Sequence, residues 1–358
     1  ITEGRKAGAG RVSCQYRNRC SRGCPYGAYF SSVSSTLPAA ESTKNLTLKA
    51  NSIVAEVLYD KDKNKATGVR VIDAITKEET VYNSKIIFLC ASAVASATIL
   101  MQSKSEAFPN GMGNSSGELG HNIMDHQLGA GVSGSIDGYV DRYYIGRRPN
   151  GIYIPRFRNV NKKSEKVNFL RGYGYQGGAY RGSGWGWQDS VPEYSYGKDL
   201  KENILKPGGW AFGMGGFGEV LPYHENHFIL NYDKLDQYGL PTIVFDAEFK
   251  ENERLMKEDW LIQGQEMLEA AGFKDIKVFD GKAPIGRGIH EMGTARMGYD
   301  PKTSVLNRNN QLHEVSNVFV TDGACMTSAA NQNPSLTYMA LTARAANFAV
   351  GELKKQNI

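Results

Sequence analysis

Lys85-Ile86-Ile87-Phe88-Leu89-Cys90 runs directly into Ala91-Ser92-Ala93-Val94-Ala95-Ser96-Ala97-Thr98-Ile99-Leu100-Met101. The first stretch is an unbroken apolar run of the length and type found in a strand buried on both faces, as in a parallel sheet. The small side chains after it suit a helix lying close against that sheet. A strand feeding directly into a packed helix is the unit of an α/β layer, and it sets the fold expected for the first block of the chain. Working back from it, Leu46 to Ala50, Ile53 to Leu58 and Ala66 to Ile72 are short β-branched runs. The polar turn Asp60 to Lys65 separates the last two, which predicts strands and a hairpin. Far downstream, Val318-Phe319-Val320 reads as a second short buried strand and Pro334 to about Lys355 as a long helix.

From roughly Gly129 to Gly281 the texture changes to Gly, Tyr and Trp, with strand signals such as Val167 to Leu170 and Phe228 to Asn231. This predicts a separate antiparallel domain. It holds one helix, Glu251 to Ala271, with Leu255, Trp260, Leu261, Met267 and Leu268 apolar and Gly272 as its stop. The fold class is therefore α/β (α+β), with one layer built from residues 1–130 and 286–358 around an antiparallel-sheet domain at 131–285. Composition agrees with a globular protein: of 358 residues 22% are charged and 41% hydrophobic, so disorder is excluded as the main state. The net charge of +5 is spread thinly, which argues against a nucleic-acid footprint or a polybasic membrane anchor. No run approaches the roughly 18 apolar residues of a membrane span. The start, Ile1-Thr2-Glu3-Gly4, lacks both an initiator Met and a signal-peptide core, so the true amino terminus is expected to lie upstream.

Several motifs have plain explanations. Three G-x-G-x-x-G matches begin at Gly129, Gly172 and Gly213, but none follows a strand and opens a helix, as a pyrophosphate site requires. In a chain with 40 glycines they read as turns and bulges. The segment Gly172 to Trp187 is read either as an aromatic substrate lid or as a Gly-rich loop with buried rings. His224-Glu225-Asn226-His227 lacks the H-E-x-x-H spacing and reads as a polar turn. Five cysteines, an odd number, exclude a complete disulfide framework. Cys14, Cys20 and Cys24, three thiolates within eleven residues, could ligate a metal or cluster, but the fourth ligand and regular spacing are missing, so free thiols or a disulfide containing Cys14 is the default reading and no metal is assigned. Cys90 and Cys325 read as core thiols.

The carboxyl-terminal block is more specific. It holds His290-Glu291-Met292-Gly293-Thr294-Ala295-Arg296-Met297-Gly298, then Asn317 to Ala324 ending in Asp322-Gly323-Ala324, then Asn331-Gln332-Asn333-Pro334-Ser335-Leu336-Thr337. In order and spacing these resemble the glucose-methanol-choline (GMC) oxidoreductases, flavoproteins that oxidise alcohols and sugars. Cys24 to Ala28, Phe88 to Ala93 and Gly113 to His126 also resemble family segments. The likeness is weak from about 130 to 285.

That resemblance implies FAD as cofactor, a partly complete FAD-binding domain at 1–130 and 286–358, and a substrate-binding domain between them. It also implies a small alcohol or sugar as substrate, oxidised at a CH–OH group by hydride transfer, with an unspecified electron acceptor. Chemistry supports the site on its own terms. Removing hydride from a carbinol leaves a carbonyl, so a base must take the hydroxyl proton, and neutral imidazole is poised for this near pH 7. His290 is the candidate base. Asn333 is its partner, holding the substrate oxygen with an uncharged amide. Asn333 before Pro334 also fits an N-cap followed by proline, so that the helix start at Pro334 and Ser335 faces the reduced flavin's anionic edge. Ala340, Ala343, Ala346 and Ala349 would pack that helix on the sheet. Asp322 and Gly323 match the family position beside the flavin ribityl and phosphate, and Val54 the adenosine-side contact. The glycine fingerprint with which family members begin has no counterpart, so the chain is expected to lack the amino-terminal dinucleotide-binding motif and to be inactive by itself. The alternative function is a non-catalytic carbohydrate-binding module. Compartment is not readable.

Overall fold

In the computed structural model the apolar run at 86–90 does form a buried strand. It is β4 in the order α1 (Thr36–Ser42), β1 (Ser52–Asp60), β2 (Lys65–Asp73), β3 (Glu79–Asn83), β4 (Ile87–Leu89), α2 (Ala93–Gln102), β5 (His126–Gln127), β6 (Ala130–Ile136), β7 (Ile152–Ile154), β8 (Tyr173–Arg181), α3 (Gly197–Leu205), β9 (Trp210–Glu219), β10 (His227–Leu235), β11 (Pro241–Asp246), α4 (Glu251–Ala270), β12 (Lys274–Asp280), β13 (Val318–Val320) and α5 (Ser335–Lys354). The structure describes residues 11–16, 20, 23–139, 151–164, 167–181, 196–205 and 209–358.

β4 pairs in parallel with β13, Phe88 opposite Phe319, so the two predicted buried strands are neighbours although about 230 residues separate them. Ala97, Leu100, Leu89, Val318 and Val320 share one core, and small residues on α2 let the helix lie close to the strands. Asn317 locks the layer to the β1–β2–β3 sheet: its side chain accepts from the N–H of Ala66 and donates to the carbonyls of Ala66 and Lys85. The predicted hairpin is β1–β2, antiparallel, with Val54 opposite Val71. Leu46 to Ala50 is not a strand; it lies exposed ahead of β1, with no sheet neighbour to satisfy its backbone. β10 and β11 form a second hairpin whose Phe228 enters the α2 core.

The antiparallel part is a six-stranded sheet in the order β12-β6-β9-β8-β7, with β5 also paired to β9. The three glycine matches run along β6, β8 and β9, adjacent strands rather than turns and bulges. Their role is close approach. A Cβ at Gly216 or Gly218 would lie 2.5 or 2.7 Å from the ring of Trp260, which α4 presses onto the sheet. Residues 172–181 of the suggested lid belong to β8 and the core: Tyr173 Oη donates to Asp259 and Tyr175 Oη to the Trp260 carbonyl, both at 2.5 Å. Residues 182–187 lie outside the described residues. Val167 to Leu170 forms bends, its Phe169 buried under the sheet.

Two further expectations need correction. On α5 the buried small residues are Ala345 and Ala349, packed with Phe319 and Phe348, whereas Ala340 and Ala343 are exposed. Cys325 is buried as expected, but Cys90 is exposed at the strand end, its Sγ 3.2 Å from Thr321 Oγ1. Cys20, Cys24, Cys90 and Cys325 are free thiols, and no group of three or more His, Cys, Asp or Glu able to hold a metal ion occurs among the described residues. No helix among them is long and apolar enough to cross a membrane.

Candidate active site

The loop that carries His290 is fixed from below by Asp125, the residue before β5. Asp125 is fully buried, and its carboxylate accepts four backbone N–H bonds. Oδ1 takes those of His126 and His290 at 2.7 and 3.2 Å; Oδ2 takes those of Gly286 and Gly288 at 2.9 and 2.7 Å. Gly288 has to be glycine, because a Cβ there would sit 2.2 Å from Asp125 Oδ1. Between two gripped N–H groups stands Ile289 with φ +54° and its side chain 82% exposed. A β-branched residue in the left-handed region is strained, and such strain persists where the surroundings hold it in place. Here Asp125 does so on either side.

From this platform His290 joins a chain of polar side chains. Its Nδ1 is 2.7 Å from His126 Nδ1, the rings edge to face, and its Nε2 is 3.4 Å from Asn333 Nδ2. Asn333 Oδ1 accepts from Gln176 Nε2 of β8 at 2.9 Å. His126 Nε2 bonds the Ala330 carbonyl. Burial and then the neighbouring His126 push the His290 pKa below the ordinary imidazole value, against a weaker pull from Asp125. Burial lowers His126 as well, the Ala330 carbonyl and Asp125 opposing. Both imidazoles are thus held toward the neutral form, the form in which His290 can accept a proton.

Asp322 and Gly323 follow β13, at the same end of the parallel pair as the β4–α2 turn. Asp322 accepts from Ser96 Oγ at 2.5 Å and from the Ala324 N–H at 2.9 Å, and burial raises its pKa. A Cβ on Gly323 would lie 2.3 Å from the Glu291 carbonyl, so this glycine lets the His290 segment pass. The cap position of α5 is Pro334, not Asn333, and no side chain caps it; the Asn333 amide is turned to His290 and Gln176 instead. Ser335 is exposed at that start and Pro334 is buried. Val54 sits on β1, packed against the α2 core, a different place from the His290–Asn333 pair.

These features suit a flavin. The crevice beyond the carboxyl ends of parallel strands is the usual ligand position in an α/β layer. An uncapped helix start offers free N–H groups and a partial positive charge. Close by, the buried hydroxyl of Tyr338 has no hydrogen-bond partner among the described residues. Asp125, His126 and Gln176 are site residues that the sequence motifs alone do not single out. The first two close the family-like segment Gly113 to His126, and an Asp-His pair there was the available signal. Gln176 carried none. His224 and His227 stack on His121, with centroids 4.2 and 4.9 Å apart, as a polar surface cluster.

The site's relatives are now identifiable. A GMC oxidoreductase amino-terminal model matches residues 8–128, and the carboxyl-terminal model of the same family matches residues 222–342. The first match does not bear out the expectation that the amino-terminal dinucleotide-binding motif is lacking; it spans β1 to β4, α2 and the segment to Asp125–His126. The chain is 29% identical over 289 residues to 2-methyl-1,2-propanediol dehydrogenase of Mycolicibacterium austroafricanum, covering 79% of this chain and 51% of that protein. It is 26% identical over 352 residues to the fructose dehydrogenase large subunit of Gluconobacter japonicus, covering 97% and 61%. The chain thus spans between half and two thirds of the length of these relatives. Among solved structures, a variant formate oxidase from Aspergillus oryzae superposes with a TM-score of 0.61 at 15% identity, over 89% of this chain and 63% of that one. With two models of one family accounting together for about two thirds of its residues, in the order the motifs follow, this chain belongs to the GMC oxidoreductases, a family of FAD-dependent enzymes.

Proposed function

We propose that the protein oxidises a CH–OH group of a sugar or sugar-like alcohol by hydride transfer to FAD, with His290 as the base and Asn333 as the group that holds the oxygen. The carrying observation is the opposition of His290 Nε2 and Asn333 Nδ2 at 3.4 Å. An alcohol oxygen placed against both accepts the Asn333 N–H and donates its own O–H to His290. As the carbon gives up hydride, the proton passes to Nε2 and the carbonyl oxygen stays bonded to the amide. Bound FAD supplies the hydride acceptor. Residues within 1–130 and 286–358 would hold it: Asp322 and Gly323 at the strand ends, Pro334 and Ser335 at the α5 start, whose partial positive charge would favour an anionic reduced flavin, and Val54 on the adenosine side. Residues 131–285 face the substrate, a reading supported by the bond from Gln176 of β8 to Asn333. A sugar or a diol as substrate is favoured by the fructose and 2-methyl-1,2-propanediol dehydrogenases among the relatives.

The test is flavin bleaching. Yellow holoprotein should lose its colour anaerobically on addition of a sugar or polyol, and His290→Ala should slow the step by about 10²–10⁴, the range of lost acid–base catalysis. Unchanged reduction in that variant would remove His290 from the role.

A further inference from the structure

We infer that His126 is a positioning residue that holds His290 in the tautomer with its proton on Nδ1 and a bare Nε2 facing Asn333. The inference rests on the reading of His290 as base and adds what makes the correct nitrogen available.

It follows from both ends of one hydrogen-bonded chain. At the buried end, His126 Nε2 meets the Ala330 carbonyl, which can only accept, so that nitrogen carries a hydrogen. A neutral imidazole has one N–H, which leaves His126 Nδ1 bare. At 2.7 Å from it lies His290 Nδ1; two bare nitrogens would repel there, so His290 Nδ1 is the donor and its Nε2 is left with a lone pair. At the open end, Gln176 donates to Asn333 Oδ1, which turns the Asn333 amide nitrogen toward His290. A donor aimed at Nε2 again requires that nitrogen to be bare. The two assignments start from different residues, Ala330 and Gln176, and agree.

His126 is suited to this because it cannot be replaced by solvent. It is 1% exposed, its backbone N–H is held by Asp125, and its ring is fixed edge to face against both His290 and Phe217. Without it, the His290 proton would distribute between both nitrogens, and the fraction on Nε2 could not act as base. When His290 takes the substrate proton, its Nδ1–H bond to His126 becomes charge-assisted and strengthens. His126 itself touches neither substrate nor the reacting carbon.

The tautomer is read directly by long-range 1H–15N correlation on flavin-loaded protein carrying 15N-histidine, with His290→Gln to assign the ring. In the parent, Nδ1 of His290 should register as N–H and Nε2 as bare. His126→Phe, which removes the acceptor, should move both nitrogens toward the values of a mixed tautomer and slow flavin reduction by about tenfold or more, with KM little changed. His126→Gln, whose amide can offer oxygen to His290 and N–H to Ala330, should restore the parental pattern and most of the rate. A parent with its proton on Nε2, or a His126→Phe protein with the parental nitrogen pattern, overturns the inference. Should His126→Phe fail to hold flavin, the parent spectrum and His126→Gln still decide it. Failure of the base reading looks different: His290→Gln would then reduce flavin at the parental rate whatever the tautomer.

Discussion

Replacing Asp125 by Asn probes how firmly the base is held. The carboxylate serves four donors, two per oxygen: His126 and His290 on Oδ1, Gly286 and Gly288 on Oδ2. An amide keeps one oxygen and puts an NH2 where the other was, so two N–H groups lose an acceptor and face a donor. Each such bond to a charged acceptor contributes about 1.5–3 kcal/mol, which sums to about 3–6 kcal/mol. Part is returned when Ile289 leaves its left-handed conformation, a strain of about 1–3 kcal/mol. The net is a destabilisation of about 2–3 kcal/mol, enough to lower the unfolding midpoint of a chain this long by about 3–4 °C. The same release shifts His290, and a misplacement of about 1 Å can cost up to about 10² in rate. Thermal unfolding followed by tryptophan fluorescence gives the first quantity, and stopped-flow flavin bleaching the second. A variant that melts with the parent and reduces flavin at the same rate would refute the clamp.

Other consequences can be measured on the same preparation. Burial and the His126 neighbour disfavour the imidazolium of His290, and Asp125 offsets them only in part. If His290 in its neutral form is the base, as proposed, the rate of flavin reduction should hold through neutrality and decline only below the ordinary histidine value of 6.5; a decline centred above that value contradicts the environment described. Asn333→Asp exchanges the N–H proposed to hold the substrate oxygen for an acceptor, and should slow reduction by about 10² while leaving the unfolding midpoint near the parent's, as measured by stopped flow and melting. Gly218→Ala would set a methyl 2.7 Å from Trp260 and should cost about 1–3 kcal/mol by denaturant titration, with the His290 chemistry unchanged in protein that remains folded.

What the sequence made legible was local or periodic. An unbroken apolar run can only be a doubly buried strand or part of a helix, and β4, β13 and the long helices α4 and α5 emerged at nearly the expected bounds. The glycine matches did not, because glycine records two opposite needs, a turn and a close approach. Only the position of Trp260 above β9 shows which one applies. Tyr173 and Tyr175 misled for a related reason: an aromatic in a glycine-rich stretch looks like a loop until Asp259 and Trp260 of α4 are seen to take their hydroxyls. His290 and Asn333 stand out as candidates because a spaced motif surrounds each. Gln176, from a strand more than 150 residues away, reaches Asn333 only through the sheet register that packs β8 beside the α5 start, and spacing along the chain does not encode register.

The motif around His290 also carries more packing than chemistry. Gly293, at φ +97°, would place a Cβ 2.1 Å from the Asn122 carbonyl, Met292 exchanges backbone bonds with Met124, and Thr294 Oγ1 donates to the Ala93 carbonyl. Arg296 pairs with Glu118 at 3.1 Å, and Gly323 makes room for Glu291. The segment is therefore a rail seated between residues 118–126 and 322–324, and each of its small or fixed positions answers to a neighbour. His290 lies on that rail with its Nε2 3.4 Å from the Asn333 amide, a group supplied by another part of the chain. The position of His290 is fixed because the rail is tight: Asp125 holds its backbone N–H, Gly293 and Gly323 allow its depth, and His126 meets its Nδ1. With His290 as the proposed base, a substitution at any of these positions would act on the reaction through that ring.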